Sequence, residues 1–525
     1  LEGQRTCARH LLDAIGEDSE PADIAASVRK ALSVGIIPEP NLLDVAAGLA
    51  LAWRDFNGAA RIAAHAPDDQ RLAVTRARAL RFLGEVPDEV PVELDEGALT
   101  EFLSIKSQAM AYGERRFADA IAMLQEGMVS LSESTHRNRL ATELMILSGL
   151  SGDLDALLDA GRTVDDAANP DTRLLAVATT QLAEALTLST VSADDTYAKG
   201  RQIVESMGTE SLLSQQLEMG RVLVDLADGH FRDARVRLDR PDREAAPGSW
   251  LTIESLMADA WTSADAALRL AESAVAELES FDPTGNLSQA KHVAELRRAQ
   301  TRQAAPREEA IKHPVEPAVA DIDRIMSQRA QAWHGWGIGD STAGKQLSEV
   351  GREAVALGHR FWGLSCFIDA VRLGNGRDVA ADIEHLAITR GSGLATMAGR
   401  YARSETRDDL WGCARMWLEA GATTFAIETA IQAVDPANPA DSVCVQLLAA
   451  KGANPLVGDL ATISQPLSNR QVEILLSVLG GASSKEVAET LFVSRRTVEN
   501  HLHRVYQTLG IGDGRRGLTN RFEWL

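Results

Sequence analysis

LSNRQVEILLSVLGGASSKEVAETLFVSRRTVENHLHRVYQTLGIGDGRRGL occupies Leu467 to Leu518 of a 525-residue chain. Its apolar residues keep helical spacing, so the first question is how many helices it holds. Ser468 can cap a helix that carries Val472, Leu475, Leu476 and Leu479 on one face. Gly480-Gly481 ends it, and Ser483 or Ser484 can cap a second, short helix with Val487, Ala488 and Leu491 inward. Phe492 to Ser494 is a tight connection. Ser494 then caps a third helix, whose inward stripe is Val498, Leu502, Val505 and Leu509. Its other face shows Arg496, Glu499, Asn500, His503 and Gln507. Two short helices, a three-residue turn and a polar-faced helix after it spell a helix-turn-helix.

The residues that fix this pattern are Leu467-Ser468 with Arg470 and Glu473, then Gly481, KEVAETLFVS (485–494), TVENHL (497–502) and Leu509-Gly510. On them the segment resembles the LuxR/FixJ/NarL-type DNA-binding domain, over about one-ninth of the chain. The resemblance implies a four-helix domain whose helix after the turn enters the major groove of double-stranded DNA. Carried over by position, Glu499, Asn500 and His503 face base edges. Asn can pair bidentately with adenine and Glu can accept from cytosine N4. Lys485, Ser494, Arg495, Arg496, Thr497 and Arg504 fall where phosphates are met, contacts that position and do not specify. Many relatives carry Lys or Arg where Glu499 stands, a departure that bears on sequence preference and not on docking.

Charge supports a local DNA-binding tail. The whole chain has a formal net charge of −22, and a globally acidic chain repels nucleic acid. Residues 467–525 hold eight cations and six anions, so the remainder carries −24. Apolar residues make up 45% of the chain, enough for a large core. The longest apolar runs fall far short of the ~20 residues of a membrane helix. The start, LEGQRTCARHLLDAIG, lacks the pattern of a secretion signal. It also lacks an initiator Met, and the expectation is that Leu1 lies inside a longer protein. Cys7, Cys366, Cys413 and Cys444 form no C-x-x-C, and no clustered His gives metal-ligand spacing. They read as buried thiols of a reducing cytoplasm.

From Leu1 to about Leu460 the pattern is helical throughout, with no run of alternating Val, Ile or Thr. A short signature recurs, in which a small-residue-rich helix breaks briefly and is followed by an aromatic residue or Leu. It stands at Phe56, Phe117, Leu154, Phe231 and Phe425. Phe117 to Leu154 is 37 positions, and Leu154 to Phe231 is 77, close to twice that. Helix pairs repeating every 34–40 residues mark tetratricopeptide-like arrays. Breaks fall at 240–250, 281–286, 304–317 and 435–441. The expected organisation is a helical-repeat sensor or oligomerisation region over 1–451, a linker over 452–466 and the helix-turn-helix domain over 467–525.

Two features of the array invite a chemical reading. GDSTAGKQ, from Gly339 to Gln346, is one residue away from the phosphate-loop pattern G-x-x-x-x-G-K-[ST]. Such a loop follows a strand and needs a hydroxyl for Mg²⁺. RIMSQRAQAWHGWGI before it reads as helix, and Gln346 supplies no hydroxyl ligand. It therefore reads as a loop between helices, the next one capped by Ser341. The second feature is a cluster of aromatics: Trp333, Trp336, Phe361, Trp362, Tyr401, Trp411 and Trp417. With polar neighbours these could line a small-molecule pocket, aromatic faces suiting sugar rings or flat ligands, but aromatics mostly pack cores and a bulky core between repeats is the plainer reading. No catalytic triad, carboxylate pair, metal site or cofactor motif stands out.

An acidic array followed by this helix-turn-helix resembles the large LuxR-type regulators of the MalT kind (STAND/LAL). Those place a nucleotide-binding module first, which this chain lacks; the expectation is that any phosphate loop lay upstream of Leu1. The resemblance implies a cytoplasmic, bacterial, non-enzymatic transcription regulator without membrane attachment, acting as a homodimer on DNA and addressing the transcription machinery. Its array would sense a small-molecule inducer. The alternatives are a scaffold regulated purely by protein–protein contact and an ATP-dependent switch.

Overall fold

Ala, Leu, Arg and Glu lose little side-chain freedom in a helix, and they dominate the first 460 residues. The computed structural model describes residues 2–16, 19–87, 94–114, 116–164, 169–208, 211–239, 247–280, 287–301, 317–452 and 454–524, without the side chains of 112, 150 and 317–320. Every regular element among them is helical. The break read at 281–286, and most of those at 240–250 and 304–317, lie outside the described residues. The break at 435–441 holds a turn that Pro439 ends by opening the next helix, with Asn438 as its cap.

One turn recurs between helices. At Ala50–Asp55, Ser148–Asp153, Asp225–His230, Gly335–Asp340, Ala354–His359, Ala370–Asn375 and Trp417–Ala422, the last N–H donates to the first carbonyl at 2.8–2.9 Å. In each, the residue before last is left-handed, and it is glycine everywhere except Arg54. This is the Schellman closure, which satisfies carbonyls a helix end leaves open and turns the chain within three residues. In all but the Gly335–Asp340 turn the next helix then begins at once. Phe56, Leu154 and Phe231 of the recurrent signature are first residues of such helices, and Phe117 opens its helix too.

GDSTAGKQ is one of these turns. Gly339 has φ +95°, and Asp340 N–H closes onto Gly335. Helix Ala343–Ala356 follows, and the residue flanking it is Thr342, not Ser341. The turn is organised by Asp340, whose Oδ1 accepts Thr342 N–H at 2.8 Å and Thr342 Oγ1–H at 2.7 Å. Those bonds hold the Asp340 carboxyl below its ordinary range. An internal anion thus takes donors that a phosphate would need. Lys345 lies along the helix toward Glu349, 3.8 Å away.

The described residues form two compact units, one up to Thr180 together with 317–319, the other from Gln181 to Thr301 and from Ala320 onward. The first has an alanine-rich core, with Ala46, Ala47, Ala59 and Ala63 beside Leu43 and Leu72. Small side chains let helix axes approach closely. The second unit buries Phe231, Trp333, Phe361, Phe367 and Trp417 in one large cluster. Among the cysteines, Cys366, Cys413 and Cys444 are buried as expected, whereas Cys7 is exposed on the first described helix; all are free thiols.

An ionic cluster lies inside the second unit. Arg372 contacts Asp259 (2.9 Å), Asp369 (3.1 Å) and Glu428 (2.8 Å). Arg329 donates to Asp369 at 2.7 Å, and Arg297 to Asp259 at 2.7 Å. All six side chains are nearly inaccessible. Burial alone would raise the Asp259 carboxyl, but the guanidiniums of Arg297, Arg372 and Arg329 outweigh it and bring it down. Burial likewise opposes the Arg372 charge, and Glu428 and Asp259 more than restore it. Three cationic and three anionic side chains are thus matched within one buried network.

A second polar contact joins helices Leu287–Gln300 and Pro317–Gly337, where His292 Nε2 lies 2.9 Å from Asp323. Burial lowers the imidazole pKa, but the bond to Asp323 and the Glu295 carboxylate 3.7 Å away override it and carry it up to about 9. A raised folded-state value means that the stabilisation is full below the unfolded value, near 6.5, and fades as pH rises through 9. The melting-temperature gap between wild type and His292→Gln should therefore be widest at pH 6 and should close by pH 10. Separately, Gly339→Ala should destabilise by about 1–2 kcal/mol in urea unfolding, the left-handed penalty alone, since no atom lies within 4 Å of the added Cβ. Lys345→Ala should be silent in the same measurement.

Candidate nucleic-acid interface

The tail folds as four helices: Asn469–Leu479, Ser484–Thr490, Arg495–Leu509 and Gly514–Phe522. Each of the first three starts at a serine cap. Ser468 and Gln471 form a reciprocal capping box, as do Ser483 and Glu486. Ser494 Oγ accepts Thr497 N–H at 3.1 Å and shares a hydroxyl bond with Thr497 at 2.8 Å. Gly510, at φ +62°, closes the third helix. Between the second and third helices Phe492 takes φ +54° and stands 95% exposed.

The third helix is divided cleanly. Val498, Leu502, Val505 and Leu509 are buried. Glu499, Asn500, His503, Arg504 and Gln507 are exposed, and Arg495 and Arg496 are exposed at its start; Thr497 is half-buried. Arg495 Nε donates to Glu499 Oε1 at 2.7 Å, so these two share one position on the surface. His503 and Gln507 meet through their Nε2 atoms at 3.1 Å. Lys485 lies 3.9 Å from Glu489.

The other tail cations mostly hold the domain together. Arg470 donates to Glu473 at 2.6 Å and to the Leu491 carbonyl at 2.7 Å, tying the first helix to the end of the second. Arg515 donates to the Ala482 carbonyl, and Arg521 to that of Leu509 at 3.4 Å. Among the described residues Arg496 and Arg504 form no ion pair, which leaves their charge free on the exposed side of the third helix.

Sequence reasoning missed the seat of the domain. Helix Pro439–Ala450 buries Ala440, Val443, Cys444 and Leu447 in one cluster with Leu475, Val498, Val505, Leu518 and Phe522 of the tail. Its opposite side, Val445 and Leu448, packs with Ala414, Ile427 and Ala430 of the array. Gln446 exchanges two bonds with the Leu467 backbone, at 3.0 and 3.3 Å. Trp524 meets Trp411 edge-on at 6.0 Å, with the Arg415 guanidinium 5.3 Å from its ring centre. The signal was present: apart from Asp441, Ser442 and Gln446, PADSVCVQLLAA is apolar with no single apolar stripe, and such a helix is covered on more than one side.

The aromatic residues singled out in the array sit inside it. Trp333, Phe361, Trp362, Tyr401 and Trp417 are buried, while Trp336 and Trp411 are half-buried. They pair edge to face, as Trp333 with Trp336, Phe361 with Trp362 and Tyr401 with Trp417, at 5.5 to 6.4 Å. Trp333 belongs to the ionic cluster, donating Nε1–H to Asp369 at 2.7 Å beneath the Arg372 guanidinium. Burial pushes the Tyr401 hydroxyl up to about 12. Trp417 Nε1 is buried without a hydrogen-bond partner among the described residues. No group of three or more metal-ligating side chains occurs among those residues, and no helix there is long and apolar enough to cross a membrane.

Residues 465–516 match the family model described as bacterial regulatory proteins, luxR family. Over 52 residues the chain is 48% identical to the transcriptional regulatory protein TdiR of Thauera aromatica, covering 10% of this chain and 21% of TdiR. It is 41% identical over 46 residues to the fimbriae Z protein of Salmonella typhimurium, 9% and 22% of the two chains. It is 35% identical over 51 residues to the uncharacterized transcriptional regulatory protein YxjL of Bacillus subtilis, 10% and 23% of the two. The chain thus spans about a fifth of the length of these curated relatives. The C-terminal helices are a luxR-family helix-turn-helix domain.

The cap of the third helix sets how firmly its exposed face is held. Ser494→Ala should destabilise the tail by about 1 kcal/mol in urea unfolding, whereas Ser494→Asp should retain most of the stability.

Proposed function

We propose that this chain is a transcription regulator whose tail binds double-stranded DNA through the exposed face of helix Arg495–Leu509. The observation that carries the reading is the division of that helix. Its apolar stripe is fully used in the domain core, while Glu499, Asn500, His503 and Gln507 stand free of any apolar cover. Asn500 and His503 suit base edges; Glu499 also suits them and carries Arg495 with it. Ser494, Thr497, Arg496 and Arg504, with Lys485 on the preceding helix, suit flanking phosphates, aided by the backbone N–H groups at the helix start. TdiR and YxjL are themselves named transcriptional regulatory proteins.

In this reading the chain works in the cytoplasm, pairs as a homodimer on two half-sites and presents its array to an inducer or to the transcription machinery. The division at 1–451, 452–466 and 467–525, the tetratricopeptide-like character of the array and the MalT-like kinship belong to the same proposal. The turn at Gly339 gives the ATP-switch alternative no support.

The test is a double substitution, Asn500→Ala with His503→Ala. It should abolish preference among duplex sequences and leave weak binding that falls steeply with salt. Unchanged preference would contradict the assignment of this face.

A further inference from the structure

The segment that leads into the tail is held by a carboxylate of the array core. Leu456 N–H and Val457 N–H both donate to Glu428 Oε1, at 2.8 and 3.1 Å. That oxygen also accepts Arg372 Nη2 at 3.0 Å, and Oε2 accepts Arg372 Nε at 2.8 Å. Glu428 is 1% exposed. The side chains of Leu456 and Val457 pack against the same core. Gly458, at φ +92°, passes so close to Ile431 that an added Cβ would lie 3.1 Å from its Cγ2.

A bidentate arginine alone would satisfy a buried glutamate. Glu428 instead spends its remaining acceptor capacity on two backbone N–H groups from a segment of a kind that water normally serves. A buried charge is also a poor source of stability, and its best-attested use is to fix one arrangement among several. Through Arg372 this carboxylate is joined to Asp259, Asp369, Arg297 and Arg329, on four separate stretches of the array.

We infer that Glu428 is a positioning residue for DNA binding: it clamps the chain at Leu456 and Val457, and relays shifts in the array's ionic cluster to the seated tail. The relay rests on the DNA-binding reading above; the clamp does not. A change that moves Arg372 moves the carboxylate that holds this segment, a strap that reaches Leu467 ten residues after Val457 and the first tail helix at Asn469.

The test is hydrogen exchange of the whole chain, read by mass spectrometry on peptides covering 454–463, the array helix Arg360–Arg372 and the tail helix Arg495–Leu509. Two variants open the clamp. Glu428→Gln weakens the acceptor, and Val457→Pro removes one donor without touching the buried charges, which keeps the test valid if the first variant fails to fold. Asp459→Ala is the control, since it removes only the cap on Ala461 N–H. Both opening variants should speed exchange at 454–463 by about tenfold or more relative to the control, with the tail helix unchanged. Exchange at wild-type rates would overturn the clamp. Adding duplex DNA to wild type should alter exchange in Arg360–Arg372, and Val457→Pro should still bind DNA but lose that response. A response absent from DNA-bound wild type, or retained in Val457→Pro, would overturn the relay. If wild type binds no duplex, the DNA-binding reading and the relay both fail, and the 454–463 comparison still decides the clamp.

Discussion

Arg372 is the side chain on which the second unit depends. It lies 2% exposed among three carboxylates, with the rings of Trp333 and Phe425 against its guanidinium. Moving one ion into so dry a site costs several kcal/mol unless every donor is matched. Here the matching is shared across Asp259, Asp369 and Glu428, and those residues are fixed in turn by Arg297, Arg329 and two backbone N–H groups. Apolar contact alone is non-directional and fixes register between neighbouring helices only through shape. Hydrogen-bonded charges in matched positions resist sliding, because it lengthens and misaligns bonds that weaken steeply with geometry.

That rigidity reaches the tail along two routes, the strap at Leu456–Val457 and the two-faced helix Pro439–Ala450. The helix is core to the array on one side and to the helix-turn-helix on the other. The exposed face of helix Arg495–Leu509, proposed above to read DNA, is therefore presented on a packed mount and not at the end of a loose tether. Charge is divided along the same line: the strongly acidic part of the chain repels nucleic acid, and the mildly cationic tail exposes Arg496 and Arg504, which form no ion pair among the described residues.

The tail was the most legible part of the sequence because its signals are local. Ser468, Ser483 and Ser494 cap what they precede, and the stripe Val498, Leu502, Val505, Leu509 needs only its own spacing to be read. The array's turns were half legible: glycines marked them, but the Schellman closure shared by Ala354–His359 and Gly335–Asp340 explains why a phosphate-loop spelling arises there without phosphate chemistry. What stayed hidden is non-local. Arg372 and Glu428 are 56 residues apart, and Arg372 and Asp259 are 113 apart. No periodicity reveals that partnership. The aromatic cluster was visible as composition, but its depth, with Trp333 serving the ionic cluster, depends on helices distant in sequence. The tail boundary looked sharp at 467 because capping is local, while the helix that seats the domain lies before it.

The most direct measurement is selection of duplex DNA from a random pool by the full chain, followed by titration of the recovered sequences at several salt concentrations. The account predicts a shared motif, with affinity for it falling linearly in the logarithm of salt concentration and exceeding that for random duplex by at least ~10³-fold. A recovered pool indistinguishable from the input, or binding indifferent to salt, would contradict it.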